Sequence, residues 1–145
     1  NAAGVTCGIS DAEGFGLSTF ESLSAETPII VTMTGGLQEQ VTDGKEWFGV
    51  GIEPSSKAII GSQQVPFIYE DRINREDFLD AMRKMYNASP EERAEMGRKG
   101  RAHIQKNYNF EGTLKKWDTL LADIHERYGS WENRKGYDRW EMISL

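Results

Sequence analysis

The chain has 145 residues, 38% hydrophobic and 28% charged, with 15 glycines and 4 prolines, which suits one globular domain and leaves too little length for two. No stretch approaches the roughly 18 consecutive apolar residues of a membrane helix, and a single cysteine, Cys7, excludes an internal disulfide and a thiolate metal site. The net charge of -6 arises in residues 1 to 44, which hold Asp11, Glu13, Glu21, Glu26, Glu39 and Asp43 but no Lys or Arg, while the other 101 residues balance 17 acids with 17 bases; nucleic-acid binding, which needs a basic face, is excluded.

The chain opens on Asn1, and Asn1 to Ile9 lacks the basic start and apolar run of a secretory leader, so a fragment of a longer protein is expected. Val5-Thr-Cys-Gly-Ile9 is a short β-prone run in which Cys7 reads as a buried thiol. Asp11 to Gly16 breaks it with turn residues. From Ser18, Phe20, Leu23 and good helix formers predict a short helix, stopped ahead of Pro28 because proline disfavours helical geometry in the residue before it. Ile29 to Thr32 is a second strand, Leu37 to Val41 a second short helix, and Gly49 to Ile52 a third strand. Strand, helix and strand in about 30 residues form a βαβ unit, the building block of a parallel sheet.

Ser55 to Asn74 offers a loose hairpin around Gly61-Ser62 or a long surface loop. Three helices follow. Phe78, Met82 and Met85 recur at helical spacing, and Ser89-Pro-Glu-Glu92 sets a cap, a proline and a capping-box acid in order. Leu114, Trp117, Leu121, Ile124 and Tyr128 form an apolar stripe that predicts a packed helix. The tail after Gly129 carries Trp131, Tyr137, Trp140 and Ile143, and its aromatic content predicts that it packs on this domain or on a partner domain. The domain boundaries expected are therefore 1–128 and 129–145.

Chemistry concentrates between the first strand and the first helix. Ligands of open α/β sheets bind outside the carboxyl ends of the strands, which is where Asp11-Ala-Glu-Gly-Phe-Gly-Leu17 falls. Gly14 and Gly16 let backbone amides approach a ligand, and the helix start offers the amides of Leu17, Ser18 and Thr19 with about half a positive charge. No Gly-Lys-Ser or Gly-Lys-Thr follows, and Thr19 stands where a dinucleotide fingerprint has its third glycine, so both of those readings are set aside. Glu13 on the loop and Glu21 in the first turn of the helix are eight residues apart, placed to accept hydrogen bonds from vicinal sugar hydroxyls. For Glu21 a capping box, Ser18-x-x-Glu21, is an equally good reading, and Glu13 taken alone reads more simply as a solvated loop acid. His103 and His125 stand beside no nucleophile motif and read as structural.

Ser10 through Gly44 resembles the C-terminal domain of the GT-B glycosyltransferases of family 4, the group 1 transferases. The E-x7-E signature falls on Glu13 and Glu21, the GFGL element on Gly14 to Leu17, and the GG-x-x-E-x-V-x-x-G run on Gly35 to Gly44; Gly97-Arg-Lys-Gly-Arg and Tyr108-Asn-Phe fall where that family has its closing helices. The resemblance implies an α/β fold, a Rossmann-like parallel sheet with helices on both faces, forming part of the C-terminal half of a two-domain enzyme. It implies transfer of a hexose from a nucleoside diphosphate sugar to an unidentified acceptor hydroxyl, with retention, without a metal or other cofactor, in the cytoplasm. Residue by residue, it implies that Glu13 contacts the donor hexose and is catalytic, that Gly14, Phe15, Gly16 and Leu17 line the donor, that Ser18 and Thr19 meet the diphosphate, and that Glu21 binds ribose. Gly35 and Gly36 would shape the neighbouring loop. Ser18 departs from the proline usual in the family. By the resemblance, the family's basic pair, base-binding loop and acceptor domain would lie before Asn1, so the chain alone is expected to be inactive and to need an N-terminal partner domain. The competing reading is a non-catalytic α/β nucleotide- or phosphate-binding module.

Overall fold

A computed structural model of the chain describes residues 3–136 and divides it into two compact units, Asn1–Asn107 and Tyr108–Leu145. In the first unit β1 (Thr6–Gly8), β2 (Ile29–Thr32) and β3 (Gly49–Ile52) form a parallel sheet in the order β1-β2-β3. Thr6 pairs with Ile29, and Ile29 in turn with Gly49. The strands are joined through α1 (Leu17–Ser24) and α2 (Leu37–Val41), as the βαβ pattern requires.

Every residue of β2 is buried, as expected of a central parallel strand covered on both faces. Alternation sends neighbouring side chains to opposite faces. Ile30 joins Val50 and Ile52 against Ala81 and Met85 of α3 (Arg75–Asn87). On the other face Val31 and Thr19 of α1 both lie where a side chain on Gly8 would project. The sheet therefore carries helices on both faces.

In contrast, β1 is an edge strand among the described residues, and Cys7 is exposed rather than buried. Its Sγ lies 3.8 Å from Met82 Sδ, and partial desolvation pushes the thiol above its usual value. The β-prone run marked a strand but not its place in the sheet, and place decides burial.

Helix α1 stops before Pro28 is reached. Thr27 N–H donates to the Ser22 carbonyl (2.8 Å) and Glu26 N–H to that of Leu23 (3.0 Å), with Glu26 left-handed at φ 60. These are the two bonds of a Schellman ending, with glutamate at the place glycine usually takes. Helix α4 (Pro90–Asn107) packs on α1: a side chain on Gly97 would overlap the Glu26 carbonyl, and one on Gly100 would meet Leu23.

Between β3 and α3, residues 56–72 form a hairpin, β4 (Ser56–Ile60) antiparallel to β5 (Ile68–Arg72). Its tip exposes Ile59, Val65, Phe67 and Tyr69, and Phe67 is held at φ 60. The capping box forms as the sequence predicts, with Ser89 N–H on Glu92 Oε2 (2.7 Å) and Glu92 N–H on Ser89 Oγ (3.1 Å).

The second unit holds α5 (Phe110–Tyr128), capped at Asn109, whose side chain accepts from Gly112 N–H. It has no buried residue, and Leu114, Trp117, Leu121, Ile124 and Tyr128 are all exposed. The amphipathic stripe is present, but the packing expected of it is absent among the described residues. Trp131 is also exposed, with the Arg134 guanidinium 3.9 Å above its ring. Tyr137, Trp140 and Ile143 lie outside the described residues.

Candidate functional site

Because the three strands are parallel, their carboxyl ends open on one side of the sheet, and the loops after β1 and β2 meet there. The meeting is backbone against backbone. Gly36 N–H donates to the Gly14 carbonyl at 3.2 Å, and any side chain on Gly35 would overlap the Glu13 carbonyl oxygen. Gly35 also sits at φ 48, where glycine is favoured. The Thr34-Gly-Gly36 turn is thus a support for the loop that carries Glu13.

Glu13 is half-buried and turned into its own loop. Its Oε1 accepts from Gly16 N–H at 3.2 Å and its Oε2 from Ser10 Oγ at 3.4 Å. The solvated-acid reading of Glu13 therefore does not describe it. Gly16 is the residue before the helix, left-handed at φ 88 and ψ 65, and no side chain caps the helix. Ser18 is consequently the second helical residue, and the Ser18-x-x-Glu21 capping box does not form. Phe15 packs its ring on Phe20, with centroids 5.3 Å apart.

The amides of Leu17, Ser18 and Thr19 open α1 and take no hydrogen bond among the described residues. Leu17 and Ser18 are exposed. Thr19 is different: its side chain is 1% exposed, and its hydroxyl lies 2.9 Å from the Gly16 carbonyl and 2.7 Å from Gln40 Oε1. Any contact of Thr19 with an anion is therefore left to its amide. Glu21 lies one turn beyond Leu17, on the same exposed side of the helix, and no hydrogen bond holds its carboxylate among the described residues. The structure thus brings Glu13, Gly14, Phe15, Gly16 and Thr19 into one bonded cluster and leaves Ser18 and Glu21 open to solvent.

Two residues join the site that the motifs do not mark. Gln40 of α2 is wholly buried and donates from Nε2 to the carbonyls of Phe15 (2.6 Å) and Gly16 (3.2 Å). Its signal in the sequence is a polar residue on the face that α2 otherwise buries through Leu37 and Val41. Arg72, at the end of β5, reaches back to Asp11 (2.9 Å) and to Glu70 (2.6 Å), while Asp71 N–H donates to the Asp11 carbonyl at 2.8 Å. The bond to Glu70, then the charge of Asp11, hold the guanidinium even more firmly protonated than usual. No signal in the sequence joins Arg72 to Asp11, because they lie 61 positions apart.

Of the histidines, His103 donates from Nε2 to the Glu39 carbonyl (2.9 Å), accepts at Nδ1 from Asn107 (3.0 Å) and packs against Phe48 with ring centroids 4.8 Å apart. Among the described residues, no group of three His, Cys, Asp or Glu could hold a metal ion, and no helix is long and apolar enough to cross a membrane.

The family described as glycosyl transferases group 1 matches residues 1–103. Among curated proteins no match is found. A solved structure, sucrose-phosphate synthase from Thermosynechococcus elongatus, is similar with a TM-score of 0.65 and 23% identity, over 86% of this chain and 26% of that one. At that identity the likeness is one of fold, and this chain spans about a quarter of that protein's length. The family match takes in most of the chain, including the whole Glu13 to Glu21 segment and the Gly35-Gly36 support beneath it, and the chain accordingly belongs to the group 1 glycosyltransferases.

Proposed function

We propose that the chain supplies the donor-binding half of a glycosyltransferase that moves a hexose from a nucleoside diphosphate sugar to an acceptor hydroxyl, with retention and without metal or resident cofactor, in the cytoplasm. The observation that carries this reading is the opening of α1. Three amides without partners among the described residues stand at the carboxyl end of β1, flanked by a loop carboxylate, Glu13, and a helix carboxylate, Glu21. Amides and a helix dipole suit a diphosphate, and carboxylates suit the hydroxyls of the two sugars joined to it.

In this reading Glu13 meets the hexose, Gly14 to Leu17 line it, Ser18 and the Thr19 amide meet the diphosphate, and Glu21 takes the ribose hydroxyls. The departing diphosphate still needs a cation clamp. Residues 1 to 44 hold none, and Arg72 is engaged by two carboxylates. A companion domain therefore supplies the cations and the acceptor site, and the 145-residue chain alone turns over no donor. A second reading, a non-catalytic nucleotide- or phosphate-binding module, draws on the Glu13 carboxylate being used inside its own loop.

The two readings part on one experiment. In the complete enzyme that carries this chain, Glu13→Gln should lower kcat on a nucleoside diphosphate hexose about 100-fold, and Glu21→Gln should raise the donor KM about tenfold by weakening a charged hydrogen bond. Turnover unchanged in both variants overturns the assignment; donor binding without any turnover in the parent favours the module.

A further inference from the structure

We infer that Gln40 is the positioning residue of the donor loop, setting the direction of the two peptide planes that meet at Gly16; the inference rests on the donor-binding reading above. A carboxamide has two N–H donors and an acceptor oxygen. In Gln40 both kinds of atom are engaged with one short segment: Nε2 with the carbonyls of Phe15 and Gly16, Oε1 with the Thr19 hydroxyl. The orientation has no equivalent alternative. A flipped amide would set Oε1 against two carbonyl oxygens, which are acceptors only.

The consequence follows from the planar trans peptide, in which C=O and N–H point in opposite directions. Holding the Phe15 carbonyl inward turns the Gly16 N–H outward, and it is found on Glu13 Oε1. Holding the Gly16 carbonyl inward turns the Leu17 N–H outward, where it has no partner among the described residues. The Gly16 carbonyl also lies within bonding distance of Phe20 N–H (3.0 Å) and the Thr19 hydroxyl (2.9 Å), so the inward direction is strongly fixed.

A left-handed glycine has many other conformations open to it, and the loop's own sequence does not select among them. Leucine or methionine would satisfy the apolar face of α2 at lower cost than a buried carboxamide. The polar residue there is explained by what it holds: a Gly16 amide bound to the Glu13 carboxylate and a Leu17 amide aimed in advance at the donor, the kind of preorganisation that makes electrostatic stabilisation effective.

The test uses Gln40→Met, similar in size and without the three bonds, and Gln40→Glu, isosteric and without the two donors, in the complete enzyme. Steady-state constants for donor and acceptor are measured beside amide hydrogen exchange at residues 14–18. In both variants the donor KM should rise about tenfold, the worth of roughly one or two neutral hydrogen bonds. The acceptor KM should stay within twofold, and exchange at Gly16 should accelerate. Donor KM within twofold of the parent in either folded variant overturns the proposal. So does an equal rise of both KM values with faster exchange throughout the first unit, which marks a merely structural residue. If the parent enzyme turns over no nucleotide-sugar, the donor reading fails, and exchange at Gly16 alone then decides whether Gln40 holds the loop.

Discussion

Gly35 tolerates the least. Its backbone sits at φ 48, and a methyl group there would run into the main-chain oxygen of Glu13, which cannot swing aside as a side chain can. Gly35→Ala should therefore lower stability by about 2 to 4 kcal/mol, combining left-handed strain with overpacking. Urea unfolding should show an earlier midpoint with an unchanged slope. The turn's identity was legible in the GG run, and so was the Glu13 to Leu17 loop. Gln40 and Arg72 were not. The loop partners of Gln40 lie 21 to 25 positions away and Asp11 lies 61 from Arg72, and motifs describe neighbours in sequence rather than neighbours in space. Thr19 was legible as part of the helix start, but the inward turn of its hydroxyl depends on Gln40 and so could not be seen without it.

At the level of elements, the capping box at Ser89 and Glu92 was readable because its two bonds join residues three apart. Ser89→Ala should cost about 1 kcal/mol, the usual worth of a helix N-cap. Thermal unfolding should register that loss while nucleotide-sugar turnover in the complete enzyme stays unchanged, since α4 begins far from α1's opening in the chain and shares no bonded residue with it among the described contacts. Helix α1 was legible to within a residue at its start, where the left-handed Gly16 stands in place of a capping side chain, and its stop before Pro28 was legible too, but not the left-handed Glu26 that ends it where glycine usually stands. The β4–β5 hairpin was open to two readings because its tip is apolar on both faces and exposed, so no alternation distinguishes strand from loop. The α5 stripe shows the converse. Periodicity correctly predicted the helix, yet period alone states that a face is apolar, not that anything covers it.

For the whole molecule, the exposed apolar stripe of α5 matters most. Trp117 and Leu121 are each 57% exposed, part of a row running from Leu114 to Tyr128. Contiguous apolar surface of this kind drives association in water. The 145-residue chain should therefore sediment as concentration-dependent oligomers, and Trp117→Gln with Leu121→Gln should return it to monomer. A sharp monomer at every concentration in the parent chain would contradict that expectation. The acidic first 44 residues set the other global property: on the donor-binding proposal, a portion that meets a charged donor without lysine or arginine relies on main-chain amides, whose charge does not titrate.

The interlock of the two turns has a temporal consequence. Gly36 must reach Gly14 and Gln40 must reach Phe15 before the donor loop has its shape. Neither bond can exist until the chain has grown beyond β2 to Gly36 and then Gln40, so a nascent chain ending at β2 presents the E-x7-E segment without the cradle. On the donor-binding proposal, competence to recognise a nucleotide-sugar would then arrive late, as a sign that both βα turns have folded together.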